Sequence, residues 1–554
     1  MSWVMLAALL LGGNEREIQQ TPTDVDAVTW AFEALATIDS KQQPFIRFVW
    51  IPPWGTAEWI GLMDFTINSV ISQSRTLYRG VQYQGGWLLA YDLSLYAEGQ
   101  ELATLIKLWD ELALKDPYFH VPNTNVIEID CTTCGADGRV RTSRGTIDCS
   151  TCKGTGKRSN QSAKAAILAP HLDAALARNV SNVGNDERVD VLVTQLTSST
   201  GAIYRADWLF EQLWSTTRGG YTEFRQQLVQ AEGGLSQFET LLKKRGYDLQ
   251  TALDIGGEKG AYLIKSGVTG KNRVILAFYG AGSRSPVVVT YDPADARTRP
   301  DEQFIQNLID IFPFSDASEA FIPLQNGMIE DVLTDGSGNI QRVAPDVIVS
   351  DHTKPFGYTS ILESGMSCIV CHLPDNGYKT AKNDMKYMFG ANVDFFGEDL
   401  SFIRKGKSFS FSKQEVIDIL VNRYAERIDE PDGVLGRARR DYLRALDQVT
   451  DYAIGDKTAA QRLGELSIKT YHDYFYGMVD AQVALRELGF IASKEEASQV
   501  FSQVVPPLPV GEIEHVLLDW LRQGAEIKRT DWEPLYIEAA RRAAVYRATL
   551  GAKQ

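Results

Sequence analysis

Cys368-Ile369-Val370-Cys371-His372 has the residue types and the spacing for covalent attachment of a c-type haem. Two thiols three positions apart stand one helical turn from each other and can form thioethers to the two vinyl groups of one porphyrin. The imidazole that follows then falls under the iron as its proximal ligand. With 6 Cys and 6 His in 554 residues, chance would give this pentapeptide in about one such chain in a thousand. The other readings are a C-x-x-C redox pair, or half of a metal site that happens to precede a histidine.

The sixth ligand position decides the chemistry of such a haem. A methionine thioether raises its potential, a second imidazole lowers it, and an open position admits peroxide or a diatomic gas. Met385 and Met388, in Asp384-Met-Lys-Tyr-Met-Phe389, follow the motif closely enough for a loop to return one of them to the iron. Met385 is the candidate taken here; each methionine would serve equally as an apolar contact. His352 is the nearest alternative imidazole, whereas His120, His171, His472 and His515 read as surface or satisfied core residues. Phe389, Phe395, Phe396, Phe402, Phe409 and Phe411 crowd the region after the motif and could wall a porphyrin, or be ordinary core.

The other four cysteines also come in C-x-x-C pairs, Cys131/Cys134 and Cys149/Cys152, so none of the six is left over. Two such knuckles at this separation can place four thiolates around one tetrahedral Zn²⁺. Gly135, Gly138, Gly154 and Gly156 permit the tight turns that aim backbone N–H groups at sulfur. Between the pairs, Arg139–Thr142 and Thr146–Asp148 flank Arg144-Gly145 in the pattern of a small hairpin. A filled Cys₄ site leaves no open position, so its role is structural. Two disulfides are the alternative, because haem c implies an oxidising compartment. The segment resembles half of the cysteine-rich module of the J-domain co-chaperones, whose repeat is C-x-x-C-x-G-x-G. Cys149, Cys152, Gly154 and Gly156 match it fully; in the first pair one glycine is displaced. No J-domain is visible, and chaperone activity is not carried over.

The elements that must position these groups predict a mixed α+β chain. Residues 1–20 read as an export signal, with an apolar run of h-region length, although the first basic residue, Arg16, lies beyond it. A buried N-terminal helix or a misplaced start is the alternative. Residues 21–125 form an α/β body, with helices over 24–38, 59–71 and 102–114 and strands over 45–51 and 87–96. Pro52-Pro53 stops the first of these strands. The cysteine insert occupies 126–160. Residues 161–350 are mixed and strand-rich: helix 163–178, strand 188–194, a helical pair over 221–245 broken at Gly233-Gly234, strands 273–279 and 286–291, and a hairpin about Asp335–Asn339. The haem segment covers 351–411. Residues 412–554 are mostly helical, with helices over 413–428, 435–452, 459–470, 481–488, 513–523 and 533–550.

Composition sets outer bounds. With 44% hydrophobic and 23% charged residues the chain can bury real cores. Its net charge of −15 argues against nucleic acid or anionic lipid as a general partner and is compatible with a basic redox protein. No stretch is long enough to span a bilayer as a helix. There is no G-x-S-x-G, H-E-x-x-H or phosphate loop, and Gly256-Gly-Glu-Lys-Gly-Ala has too few features for a nucleotide site.

Several stretches in one order resemble a family of planctomycete c-type haem proteins, long secreted chains with one C-x-x-C-H deep in the sequence. Tyr204-Arg-Ala-Asp-Trp-Leu-Phe210 is similar to its R-[AV]-D-W segment, and Ser266–Val274 to S-G-V-S-x-x-N-R-V. Leu324-Gln-Asn-Gly-Met328 resembles L-P-N-G-[LM], with Gln325 in place of proline. Asp335–Asn339 and Ala344–Asp351 follow, and Gly365–His372 matches G-[LI]-S-C-x-x-C-H apart from Met366. The resemblance implies haem c and export, but no substrate. The expectation is an exported single-haem electron-transfer protein, accessory to a larger redox system and docking a redox partner protein. The alternatives are a five-coordinate haem enzyme or sensor, and a haem-free scaffold stapled by its cysteines.

Overall fold

The computed structural model describes residues 24–55, 58–118, 203–215, 234–247, 317–344, 362–372, 434–450, 459–507 and 515–551. It adds Gln226 and isolated strands at 129–130, 139–142, 145–148, 157–158, 261–265, 272–278, 287–292, 400–404 and 407–411. The chain is mixed helix and sheet, and no helix among the described residues is long and apolar enough to cross a membrane.

The N-terminal body starts with α1 (Asp24–Thr37) and β1 (Ile46–Trp50), followed by α2 (Glu58–Thr66). β2 (Val81–Tyr83), β3 (Leu88–Asp92) and α3 (Gly99–Lys115) complete its first part. All five residues of β1 are buried, because both faces of the strand are covered. Ile46, Phe48 and Trp50 face α1 with Leu88, Ala90 and Ile203, whereas Val49, Leu89 and Tyr91 point into the main core. The period of two makes one apolar run serve two cores. Arg47, on the main-core side, is fully buried and donates to the Pro44 and Ile46 carbonyls and to Asp110 of α3. The strand expected over 87–96 ends at Asp92, whose carboxylate accepts from Ser94 N and turns the chain into a 3₁₀ turn.

Four short strands belong to the insert: β4 (Ile129–Asp130), β5 (Arg139–Thr142), β6 (Gly145–Asp148) and β7 (Lys157–Arg158). After it, β8 (Ile203–Arg205) pairs with β1 in parallel, giving a four-stranded sheet in the order β2-β3-β1-β8, and α4 (Ala206–Trp214) follows directly. Every residue of α4 is buried.

A second, wholly antiparallel sheet has the order β13-β12-β11-β10-β9. Its strands are β9 (Ala261–Lys265), β10 (Asn272–Phe278), β11 (Val287–Asp292), β12 (Ala317–Pro323) and β13 (Ile329–Asp335). One face packs Val287, Val289, Ala320, Ile322 and Val332 on α5 (Gln237–Lys244). The other turns Val288, Phe321 and Ile329 into the main core. A full capping box, Ser236 with Glu239, starts α5. At the expected turn, Asp335 accepts from Ser337 N and Asn339 N, and Gly338 takes a positive φ of 74°.

The haem segment contributes α6 (Met366–His372) and the hairpin β14 (Leu400–Arg404) and β15 (Lys407–Phe411). The C-terminal part is α7 (Val434–Thr450), α8 (Ala459–Thr470), α9 (Ala481–Glu487), α10 (Ala497–Val504), α11 (Val516–Arg522) and α12 (Arg529–Gly551). A small pair of strands, β16 (Met478–Val479) and β17 (Ile527–Lys528), ties α9 to α12. Residues 163–194 and 413–428, where two helices and a strand were expected, lie outside the described residues, as does most of 221–233.

α2 and α8 both widen into a π turn, at Ile67–Ile71 and Tyr471–Tyr476. The second turn ends at Gly477, whose backbone angles are ordinary, but a Cβ there would run into the Asp473 carbonyl oxygen. Gly477→Ala is therefore expected to cost about 1–3 kcal/mol, read as a lower urea midpoint. An unchanged midpoint would show that the turn opens without strain.

Candidate functional site

The C-x-x-C-H stretch occupies a single short helix, α6, so the backbone places Cys368 and Cys371 one turn apart with His372 beside the second thiol. Gly365, at φ 85°, turns the chain into this helix, and Ile369 N bonds back to Gly365 O at 2.8 Å. The entry is fixed on two sides. Ser364 N donates to Arg342 O and Ala344 N to Leu362 O, both at 2.9 Å, which staples the entry to the chain leaving β13. Buried Glu363 accepts from Ser215 Oγ, at the end of α4, at 3.1 Å.

Met366 and Ile369 are buried in the main core, and α6 packs on α8. An unbranched apolar side chain at 366 thus does the packing required of that position. Cys368 is buried as well, at 4% exposure. His372 sits against the inner face of the second sheet, its ring 4.4 Å from that of Phe321 and tilted by 53°. His372 Nε2 lies 3.8 Å from Glu319 Oε1, beyond hydrogen-bond range of that carboxylate. With 17% of its side chain exposed, the imidazole is largely but not fully buried.

The residue types and their helical spacing fit a covalently attached haem, whereas Cys368 is buried and the imidazole largely so. Nothing among the described residues selects a sixth ligand, because Met385, Met388 and His352 lie outside them. So do Cys371's side chain, Phe389, Phe395 and Phe396, whereas Phe402 and Phe409 are paired across the β14–β15 hairpin. His472 stands beside Asp473, and His515 caps α11 by accepting from Leu517 N.

Cys131, Cys134, Cys149 and Cys152 also lie outside the described residues, but the strands around them are placed. β5 pairs with β6 from Arg139↔Asp148 to Thr142↔Gly145, the hairpin read from the sequence. β4 pairs with β7, Asp130 opposite Lys157. One ladder therefore closes just before Cys131 and just after Gly156. The other opens just after the first pair and ends just before Cys149. In sequence, both cysteine pairs fall between the strands of these two ladders. Among the described residues no cluster of three or more His, Cys, Asp or Glu side chains could hold a metal.

No family model, curated protein or solved structure matches the chain. The functional reading rests on the residues themselves.

A second constellation is not singled out by any spacing in the sequence. Arg205, fully buried at the end of β8, donates from Nε to Asp207 at 2.7 Å and from Nη1 to Glu487 at 3.1 Å. Glu487 also accepts from Arg529 Nη1 at 2.5 Å and from Trp532 Nε1 at 2.8 Å. The Arg205 guanidinium lies 3.4 Å from the centre of the Tyr118 ring, and that of Arg529 lies 4.7 Å from the Tyr474 ring. Tyr474 gives its hydroxyl proton to Glu533, so Tyr118 donates to Tyr474 across 3.0 Å. Burial lifts the Glu487 carboxyl, but Arg205 and Arg529 beside it hold it lower, at about 2. The Arg205-Ala-Asp207 stretch is the local part of this cluster; Glu487 lies 282 residues downstream and Tyr118 upstream.

Proposed function

We propose that this chain is an exported, single-haem c-type protein that passes electrons between partner proteins. The observation that carries the reading is the C-x-x-C-H sequence on one helix, anchored at its entry. Cys368 and Cys371 would hold the porphyrin as thioethers and His372 the iron; the bound group supplies reversible one-electron exchange. The chain's own contribution is placement. Met366 and Ile369 fix α6 in the core, and Phe321 sets the tilt of the imidazole. Glu319 adds a negative charge beside that ring. In bacteria haem c is attached outside the cytoplasm, which supports export and the reading of residues 1–20 as a signal. The length of 554 residues, far beyond a minimal cytochrome domain, supports an accessory role, and the resemblance of the segments around 204–210, 266–274, 324–351 and 365–372 supports a planctomycete kinship.

The insert belongs to the same reading as a structural Cys₄ zinc knuckle, supported by the two ladders that bracket both cysteine pairs. A redox partner protein is the expected ligand, and the net charge of −15 suits a basic one.

Expression with a haem c maturation system should give a pyridine haemochrome with a c-type α-band that resists acid–acetone extraction, with about one zinc per chain. Cys368→Ala and His372→Ala should abolish covalent loading and low-spin iron respectively. Low-spin ferric iron in the wild type supports electron transfer, and high-spin iron would replace it with ligand chemistry. Colourless protein, unchanged by Cys368→Ala, would end the haem reading and make the thiols staples.

A further inference from the structure

Glu487 and Arg529 of the buried cluster, with Asp207, line a pocket of about 280 Å³. Trp54 and Glu58 line one side, Lys469 and Asp473 the end of α8 and its π turn, Arg486 the end of α9 and Arg529 the start of α12. The space is generous for one inorganic ion and suited to a small metabolite. π turns are rare and concentrate at functional sites, and this one supplies Asp473 and Tyr474 to the wall.

The lining carries five carboxylates, Glu58, Asp207, Glu465, Asp473 and Glu487, against four cations, Arg462, Lys469, Arg486 and Arg529, so a preference for an anion depends on which of them are already paired. Its acids are engaged: Glu58 with Arg462 at 2.7 Å, Asp473 with His472 at 3.2 Å, and Asp207 and Glu487 with the buried arginines. Glu465, exposed at the rim, has an interaction of its own. The cations are less fully spent. Lys469 and Arg486 are exposed, and neither forms an ion pair among the described residues. The Arg486 guanidinium rests 5.2 Å from the centre of the Trp54 ring, which holds it over the mouth without neutralising it. Arg529 is 3% exposed; its Nη1 meets Glu487, but its Nε has no hydrogen-bond partner. A buried guanidinium N–H without an acceptor is costly.

We propose that this pocket binds a small organic anion, through carboxylate or phosphate oxygens, with Lys469 and Arg486 at the mouth and Arg529 beneath. The cations act in a partly enclosed space, where salt screens them less than on an open surface. The ligand would bridge α8, α9 and α12 and stabilise the packing between them by linkage. The site is separate from α6, although α8 packs on that helix, so the proposal does not depend on the haem reading.

Calorimetric titration of the full chain with citrate, and separately with glycerol 3-phosphate, at constant ionic strength tests it. Saturable one-site binding with a Kd below about 1 mM is expected for at least one of them. Citrate alone would assign a carboxylate ligand, and glycerol 3-phosphate alone a phosphate ester. Lys469→Gln with Arg486→Gln should weaken binding about tenfold or more, the two exposed cations being removed together. Their melting temperature in the absence of anion should match the wild type; should the pair fail to fold, Lys469→Gln alone should still weaken binding several-fold. No saturable binding of either anion up to about 10 mM, or binding that the folded variants retain in full, overturns the proposal.

Discussion

Glu487→Gln is expected to destabilise the fold by about 3–5 kcal/mol, the range for removing one partner of a buried ion pair. The carboxylate is the shared acceptor of Arg205, Arg529 and the Trp532 indole, and all four side chains are buried. A glutamine presents one acceptor oxygen where there were two. Its amide would set two further N–H groups against guanidinium donors. Asp207 still answers Arg205, but Arg529 keeps its charge with no neighbouring anion among its ion pairs. The damage should be global, because these residues tie β8, α4, α9 and α12 into one core. Urea unfolding read by circular dichroism measures it, as a lower midpoint at unchanged slope. Combining Glu487→Leu with Arg529→Met should recover part of the loss, since it removes the stranded charge as well as the pair. A cost below about 1 kcal/mol for Glu487→Gln would mean that water reaches the cluster and compensates the charge.

Local pattern carried much of the secondary structure. The helix over 459–470 stands as expected, those over 24–38 and 435–452 differ by one or two residues at an end, and the strand over 273–279 is shifted by one. Each has a strong apolar stripe or a clear β-branched run, so side-chain period and tertiary burial agree. The exceptions have local causes. The strand over 87–96 stops early because Asp92 turns the backbone with its own side chain. The last helix starts at Arg529, ahead of the expected 533, with an acidic residue in its first turn. α10, at Ala497–Val504, leaves a weak sequence signal because its buried face is narrow, Ala497, Phe501 and Val504. Neither π turn leaves a sequence mark, since widening a helix by one residue changes no composition.

The two candidate sites differ in legibility for a physical reason. Covalent haem attachment needs three side chains within one helical turn, so the requirement is written in consecutive residues. The β5–β6 hairpin is legible for the same reason, its turn residues and strands being adjacent. The charged cluster and the pocket above it draw on residues 54, 118, 205, 474, 487 and 529, which only the fold brings together. Parallel pairing of β8 with β1 is the step that places Arg205, and it joins segments separated by the whole insert.

Between about pH 4 and pH 7 the protein is expected to lose stability as pH rises, by up to about 4 kcal/mol, through one carboxyl group. Asp64 on α2 is fully buried. Burial lifts its carboxyl to about 7, an effect that the Gly80 N–H, the Tyr91 hydroxyl and Arg79 offset only in part. Asp64 Oδ1 accepts from both of those donors at 2.8 Å, whereas Oδ2 lies 3.6 Å from Arg79 Nε. The folded state therefore keeps a proton that the unfolded chain releases near its ordinary value of 3.8. Where the native state binds more protons, unfolding becomes easier as pH increases, until both forms are ionised above about 7. Glu487 acts in the opposite direction: held at about 2, below its ordinary 4.5, it adds stability that is lost as pH falls through that interval. Together they place an optimum for these two groups near pH 4–5, on the acidic side of the usual range. Asp64→Asn preserves an acceptor for Gly80 and Tyr91 and cannot ionise. Its urea midpoint relative to the wild type should rise between pH 4.5 and pH 8, by an amount equal to the wild type's lost descending limb. Parallel profiles for the two proteins would assign the pH dependence to other groups.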